Sequence, residues 1–213
     1  MRHVGAVASL VGVFAMGILV AGCVAVPHED YEVHVSPKLE DVNSFVEGAL
    51  DWEKRAGVHY NVSIDDGICT GSACVTVSDT PDQAEIYAFG CADAKPTATV
   101  PHPKSMGCSR SDPLFRNAAW HILLLRGVDP IERPFMYRHE IGHTLGLVHT
   151  CDEPNAKSGC ENEVALMNPI IQPDPNGGLD ANGNIVKTIG ITCADIHQFN
   201  EVRGLREGFC DGP

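Results

Sequence analysis

The stretch that decides the fold runs from residue 139 to residue 149 and reads HEIGHTLGLVH. His139 and His143 stand four positions apart, a spacing that places two imidazoles on one face of a helix. Gly146 can take the left-handed conformation that ends such a helix, and it can turn His149 back toward the other two rings. The sequence therefore predicts a three-histidine metal site at the end of a helix.

Glu140 directly follows the first predicted ligand. Three histidines leave the fourth position of a tetrahedral zinc ion open for a water molecule, whose pKa zinc lowers to about 7. We expect Glu140 to accept the proton of that water rather than to bind the metal. The alternative, that these are ordinary helix residues, is disfavoured, because composition alone would give the eleven-residue pattern with a chance on the order of 10⁻⁴.

The same eleven residues resemble the zinc-binding motif of the metzincin metalloendopeptidases, and they are closest to the matrixin and serralysin branches. Metzincins also carry a methionine in a tight turn beneath the metal, and Met167 in ALMNP (165–169) resembles the matrixin form of that turn. Pro169 stands where serralysins and astacins carry a tyrosine, so the resemblance implies no tyrosine ligand. Thr150 departs from the serine that matrixins usually have after the third histidine.

The resemblance implies an α+β fold with a mixed, twisted β-sheet, two long helices above it, and a loop-rich lower subdomain with a C-terminal helix. It also implies an endopeptidase with one catalytic zinc ion and an extended protein or peptide substrate that adds a strand to the sheet edge. Segment 170–189 is expected to wall the pocket for the residue after the scissile bond. Two alternatives stay open, a non-catalytic zinc-binding envelope lipoprotein that acts as an interaction module, and an envelope protein with a purely structural zinc.

Apolar periodicity predicts the elements around the motif. Residues 39–56 carry a helical apolar stripe that ends at a glycine, a second helix is expected after Pro134, and a capping-box pattern at Thr192 predicts the last helix. Short β-rich runs predict strands over 58–64, 73–77, 84–89 and 118–125. The run over 84–89 is expected to be the sheet edge that receives the substrate, and 97–111 is expected to be a loop.

The first 22 residues resemble a bacterial lipoprotein signal. An apolar run over 4–20 leads into LVAGC (19–23), which resembles a lipobox that is cut before Cys23, whose thiol then carries lipid. The predicted organisation is a signal peptide over 1–22, a tether over 23–38 that can end in a short strand, and a catalytic domain over 39–213. This implies an exported cell-envelope protein attached to the membrane at Cys23, with a permanent membrane helix as the alternative.

Eight cysteines remain when Cys23 is set aside, and an even number suits disulfides in an exported, oxidised domain. All eight are disulfide candidates: Cys69, Cys74, Cys91, Cys108, Cys151, Cys160, Cys193 and Cys210. Short separation favours pairing the first two with each other, and likewise the fifth with the sixth. A helix would hold the last two roughly 18 Å apart, so their pairing is less secure.

Composition limits the function further. The chain has 213 residues, which suits one domain. It has 15 Lys and Arg against 28 Asp and Glu, and the formal net charge of −13 argues against nucleic acid as a partner. Segment 174–184 is rich in Asp, Asn and Gly and can be read as a calcium site, although an ordinary surface loop is favoured.

Overall fold

The computed structural model describes residues 30–69, 73–91, 105–111, 119–150, 164–169, 171 and 173–205. Within these ranges the chain forms a single five-stranded sheet and four helices, which agrees with the expected α+β class. In chain order the elements are β1 (Asp30–Val35), α1 (Val42–Ala56), β2 (His59–Ile64), β3 (Cys74–Thr80), α2 (Gln83–Phe89), β4 (Gly107–Ser111), β5 (Trp120–Leu125), α3 (Arg133–Thr144) and α4 (Cys193–Val202). The predicted signal peptide and Cys23 lie outside the described residues.

The sheet has the strand order β2-β1-β3-β5-β4. Strands β1, β2, β3 and β5 run parallel, and β4 runs antiparallel to β5 at one edge. Tyr31, Val33 and Val35 of β1 alternate with more exposed residues and are buried in the core. Strand β1 lies within segment 23–38, where the predicted tether can end in a short strand, and it is an inner strand of the sheet, between β2 and β3.

Helix α1 forms because both of its ends are capped. Asp41 accepts a hydrogen bond from the backbone N–H of Ser44 at 3.1 Å, and Gly57 ends the helix with a φ of 70°. The buried face of α1 packs against α3. There the indole N–H of Trp52 donates to the carbonyl oxygen of Arg138 at 2.8 Å. This contact fixes α3 against the first helix.

Two predictions about the sheet edge are wrong. Residues 84–89, expected to be the edge strand, belong to helix α2, because Asp82 caps that helix by accepting from the N–H of Ala84 at 2.8 Å. The edge strand is β4, which lies in the segment 97–111 that was expected to be a loop. It has no apolar alternation, and it is held by pairing with β5 and by a disulfide between Cys91 and Cys108.

The favoured disulfide between Cys69 and Cys74 is present. Cys193 is also disulfide-bonded. The favoured partners Cys151 and Cys160 lie outside the described residues, as does Cys210. Among the helices of the described ranges, none is long and apolar enough to cross a membrane.

Candidate metal centre

Helix α3 carries the first two histidines and ends in a turn at Gly146. The N–H of Leu147 donates to the carbonyl oxygen of Gly142 at 3.2 Å, a hydrogen bond typical of a Schellman closure. Gly146 has a φ of 89°, a conformation that a residue with a Cβ adopts only under strain. The chain therefore reverses at this glycine and brings His149 back beside the two histidines of the helix.

The three histidine rings face one another. Their centroids are 4.8, 4.9 and 5.0 Å apart. The Nε2 atoms of His139 and His149 are 3.0 Å apart, and each ring of the set, His143 included, offers one nitrogen within 4.8 Å of the others. The structure thus brings the three predicted ligands together in a set that can hold a metal ion.

Backbone carbonyl groups orient two of the rings. Nδ1 of His139 lies 2.8 Å from the carbonyl oxygen of Leu166, and Nδ1 of His143 lies 2.9 Å from that of Leu147. A carbonyl oxygen only accepts, so each Nδ1 carries the proton and donates it. The Nε2 atom of each neutral ring then keeps a lone pair for a metal, as metal-binding histidines require.

Burial favours the neutral form of the cluster. Desolvation, followed by the charges of the two neighbouring histidines, lowers the pKa of His139 well below its ordinary value. Desolvation and then His143 lower the pKa of His149 to about 4. Because neutral imidazole is the form that binds metal, both rings are in the state that a cation needs.

Glu140 lies against strand β4. Its carboxylate accepts a hydrogen bond from the hydroxyl of Ser109 at 2.7 Å. Gly107 leaves room for it, since a Cβ at that position would lie 2.6 Å from Oε1 of Glu140. The side chain is only 6% exposed, and burial raises its pKa. Among the described residues Glu140 is not part of the converging set of metal-ligand atoms.

Met167 lies beneath α3 and is fully buried. A Cβ on Gly142 would lie 2.5 Å from its sulfur, so the helix and the methionine can approach this closely only with glycine there. The turn over 165–168 is closed by a 3.2 Å hydrogen bond between its first and last residues. Leu166 in this turn is the acceptor for His139, so the turn orients the first ligand. Pro169, which follows, is partly buried.

Asp195 of α4 holds this turn, a role that the sequence analysis missed. Its carboxylate accepts hydrogen bonds from the backbone N–H groups of Leu166 at 3.0 Å and Met167 at 2.9 Å. The same fully buried side chain completes a capping box with Thr192. The capping-box pattern places Asp195 three residues after Thr192, and it indicates the start of a helix and not a contact with the turn.

Two carboxylates of the loop over 174–184 are paired with nearby protein groups. Asp174 forms an ion pair with the ammonium group of Lys187 at 2.7 Å. Asp180 accepts hydrogen bonds from the N–H groups of Asn182 at 2.8 Å and Asn184 at 2.9 Å. These contacts favour the surface-loop alternative over a calcium site.

A second group with metal-ligand atoms lies on the sheet and consists of Glu32, His34 and Cys74. The sulfur of Cys74 is bonded to Cys69, so it offers no thiolate to a metal. Both ring nitrogens of His34 are paired with carboxylates, Nδ1 with Asp65 at 2.7 Å and Nε2 with Glu32 at 3.2 Å. This group therefore reads as an ion-pair cluster.

No protein-family model matches the sequence, and no curated protein matches it.

Proposed function

We propose that this protein is a zinc-dependent endopeptidase of the metzincin type. The observation that carries the proposal is the convergence of three imidazoles at the end of α3 with a buried carboxylate beside them. The fold adds support. It contains an antiparallel edge strand beside α3, the packed pair of helices α1 and α3, and a turn at Met167 that is hydrogen-bonded to α4.

The donor set fits zinc. Two nitrogens that each lie about 2.1 Å from a tetrahedral ion are roughly 3.4 Å apart, close to the 3.0 Å between the Nε2 atoms of His139 and His149. Among the described residues no fourth protein ligand joins the three, and such an open set is typical of catalytic sites. Zinc, when bound, supplies a Lewis acid that acidifies a water molecule and polarises a carbonyl group.

Glu140 performs the proton transfers of the proposed reaction. Its carboxylate accepts a proton from the attacking water as the oxygen of that water bonds to the peptide carbon. When the carbon–nitrogen bond breaks, Glu140 gives the proton to the leaving amine and returns to its starting state. The burial of its side chain keeps the carboxylate out of bulk water and available to the attacking water molecule.

An extended peptide is the expected substrate, and β4 offers the place for it. The strand order ends at β4, so in the described part of the chain its outer edge has no neighbouring strand. Unpaired backbone groups at a sheet edge can bond to an added peptide strand. Because Ser109 of β4 contacts Glu140, a peptide along this edge would pass close to the proton acceptor.

We also propose that the protein is exported and carries lipid on Cys23. The disulfides Cys69–Cys74 and Cys91–Cys108 support an oxidising compartment. Replacing Cys23→Ser should abolish labelling by a radioactive fatty acid and release the protein from the membrane fraction. Unchanged labelling in that variant would contradict the proposed anchor.

Two variants separate the chemistry from metal binding. Glu140→Ala should keep its zinc and lose peptide hydrolysis by about 10²- to 10⁴-fold, because a positioned base is gone. His149→Ala should lose zinc affinity and activity together, because a ligand is gone. An active Glu140→Ala protein would overturn the assignment of the base. A wild-type protein that binds zinc but cleaves no member of a peptide library would favour the interaction module.

A further inference from the structure

Strand β4 presents one face to the helix that carries the histidines. Gly107 and Ser109 are two positions apart, so they share a face of the strand, and both approach Glu140. Gly107 has no side chain and so leaves room for Oε1 of the carboxylate, and Ser109 donates to Oε2. The proposed base is thus enclosed by this strand.

The hydroxyl of Ser109 has two acceptors on the same residue. It lies 2.7 Å from Oε2 and 2.9 Å from the backbone carbonyl oxygen of Glu140. A hydroxyl has one proton and donates to one acceptor at a time, so it stays bonded to Glu140 in either orientation. Both contacts tie this one serine to the main chain and the side chain of the base.

The opposite side of β4 is fastened to α2. Cys108, between Gly107 and Ser109, is buried and forms the disulfide with Cys91, just after α2. At the start of the strand the side-chain amide of Gln83 donates to the carbonyl oxygen of Ser105 at 2.7 Å. These contacts hold β4 on the side that faces away from Glu140. The fold therefore sets the position of the Ser109 hydroxyl.

We propose that Ser109 is a positioning residue for Glu140, an inference that rests on the proposed function. A glutamate side chain has three rotatable bonds, and the hydroxyl restricts them before a substrate arrives. His139 and His143 are oriented by the carbonyl groups of Leu166 and Leu147, which are not part of β4. Loss of the hydroxyl should therefore disturb the base and leave the metal ligands in place.

The kinetic test compares three variants of the zinc-loaded full chain. Ser109→Ala should lower kcat about 10- to 100-fold, with KM and zinc affinity within two-fold of wild type. Ser109→Thr keeps a hydroxyl and should restore most of the lost kcat. Ser63→Ala removes an exposed hydroxyl from β2, at the opposite edge of the sheet, and should leave kcat, KM and zinc affinity unchanged. A Ser109→Ala enzyme with kcat within two-fold of wild type would overturn the proposal, as would a parallel fall in zinc affinity.

A second measurement does not depend on activity. Carbon-13 spectra of protein labelled at the glutamate side-chain carboxyl should contain one resonance that disappears in Glu140→Gln. That resonance should shift in Ser109→Ala and stay unchanged in Ser63→Ala, because only the first variant removes the hydrogen bond to the Glu140 carboxylate. An unshifted resonance in Ser109→Ala would show that the contact does not exist in solution. If the resonance shifts but wild type cleaves no peptide, the contact stands and the endopeptidase assignment fails.

Discussion

Replacing Gly142→Ala tests the close contact between α3 and the methionine turn. A new Cβ would lie 2.5 Å from the sulfur of Met167 and 3.1 Å from Cζ2 of Trp52. Carbon atoms in favourable contact are about 3.5–4.0 Å apart, so the sulfur would have to move by roughly 1 Å. Both neighbours are fully buried, which leaves them little space to move into.

Two opposing effects decide the size of the change. Alanine in place of glycine in a helix interior gains about 0.5–1 kcal/mol. Overpacking a filled core costs about 1–3 kcal/mol, and the enclosure of Met167 favours the upper half of that range. We therefore expect Gly142→Ala to lower the free energy of unfolding by about 1–2 kcal/mol. Zinc affinity should fall as well, because the turn that moves also carries the acceptor for His139.

Gly48→Ala in α1 is the matched control. Its Cβ would meet only ordinary contacts, at 3.4 Å from Cγ of Arg138 and 3.4 Å from Cδ1 of Ile141. This variant should gain about 0.5–1 kcal/mol, so urea unfolding followed by circular dichroism should separate the two alanines by roughly 1.5–3 kcal/mol. If Gly142→Ala had the same free energy of unfolding as Gly48→Ala, the sulfur of Met167 would be able to move without destabilising the protein. That result would refute the close packing of Gly142 against Met167.

Three further results are expected. Protein purified without chelator should contain about one zinc per chain by elemental analysis, since one open three-histidine set is present among the described residues; no enrichment of any transition metal would remove the basis of the proposed function. Asp195→Ala should lower the free energy of unfolding by about 2–5 kcal/mol, because two buried N–H groups lose their acceptor, and zinc titration should show weaker binding. The hydrogen bond to Asp65 first, and also the nearby charge of Glu32, raise the pKa of His34 above its usual value of 6.5. The stabilisation from this ion pair is therefore complete below pH 6.5 and is lost as the pH rises through the raised pKa. His34→Gln should abolish this pH dependence of the free energy of unfolding. A His34 pKa at or below 6.5 by NMR would contradict this.

The ligand set could be predicted because its information is local. The spacing of His139 and His143 and the glycine at 146 lie within eleven residues, and the conformations they require follow from helix geometry. The capping box at Thr192 was equally local and was found at the expected residue. Patterns of this kind depend on neighbours in the chain, so they can be read without a structure.

The sheet edge could not be predicted because it depends on distant partners. Segment 84–89 was read as a strand because it is a short run that contains Ile86, Tyr87 and Phe89, whereas the chain forms a helix there that begins at the Asp82 cap. Strand β4 lies in the segment 97–111 that was read as a loop because it is rich in Pro and Ser, and it is a strand because β5 pairs with it. The contact of Ser109 with Glu140 spans 31 positions and leaves no trace in either local sequence.

The support of the first ligand also fixes an order of events during synthesis. His139 needs the carbonyl of Leu166, 27 positions later, and the turn around Leu166 is held by Asp195, a further 29 positions along the chain. At about 5–20 residues per second, a ribosome makes His139 and Asp195 roughly 3–11 s apart. During that interval the nascent chain carries histidines whose supporting turn is not yet held in place. The hydrogen bonds that orient His139 are therefore complete only after α4 has docked against the turn of Leu166.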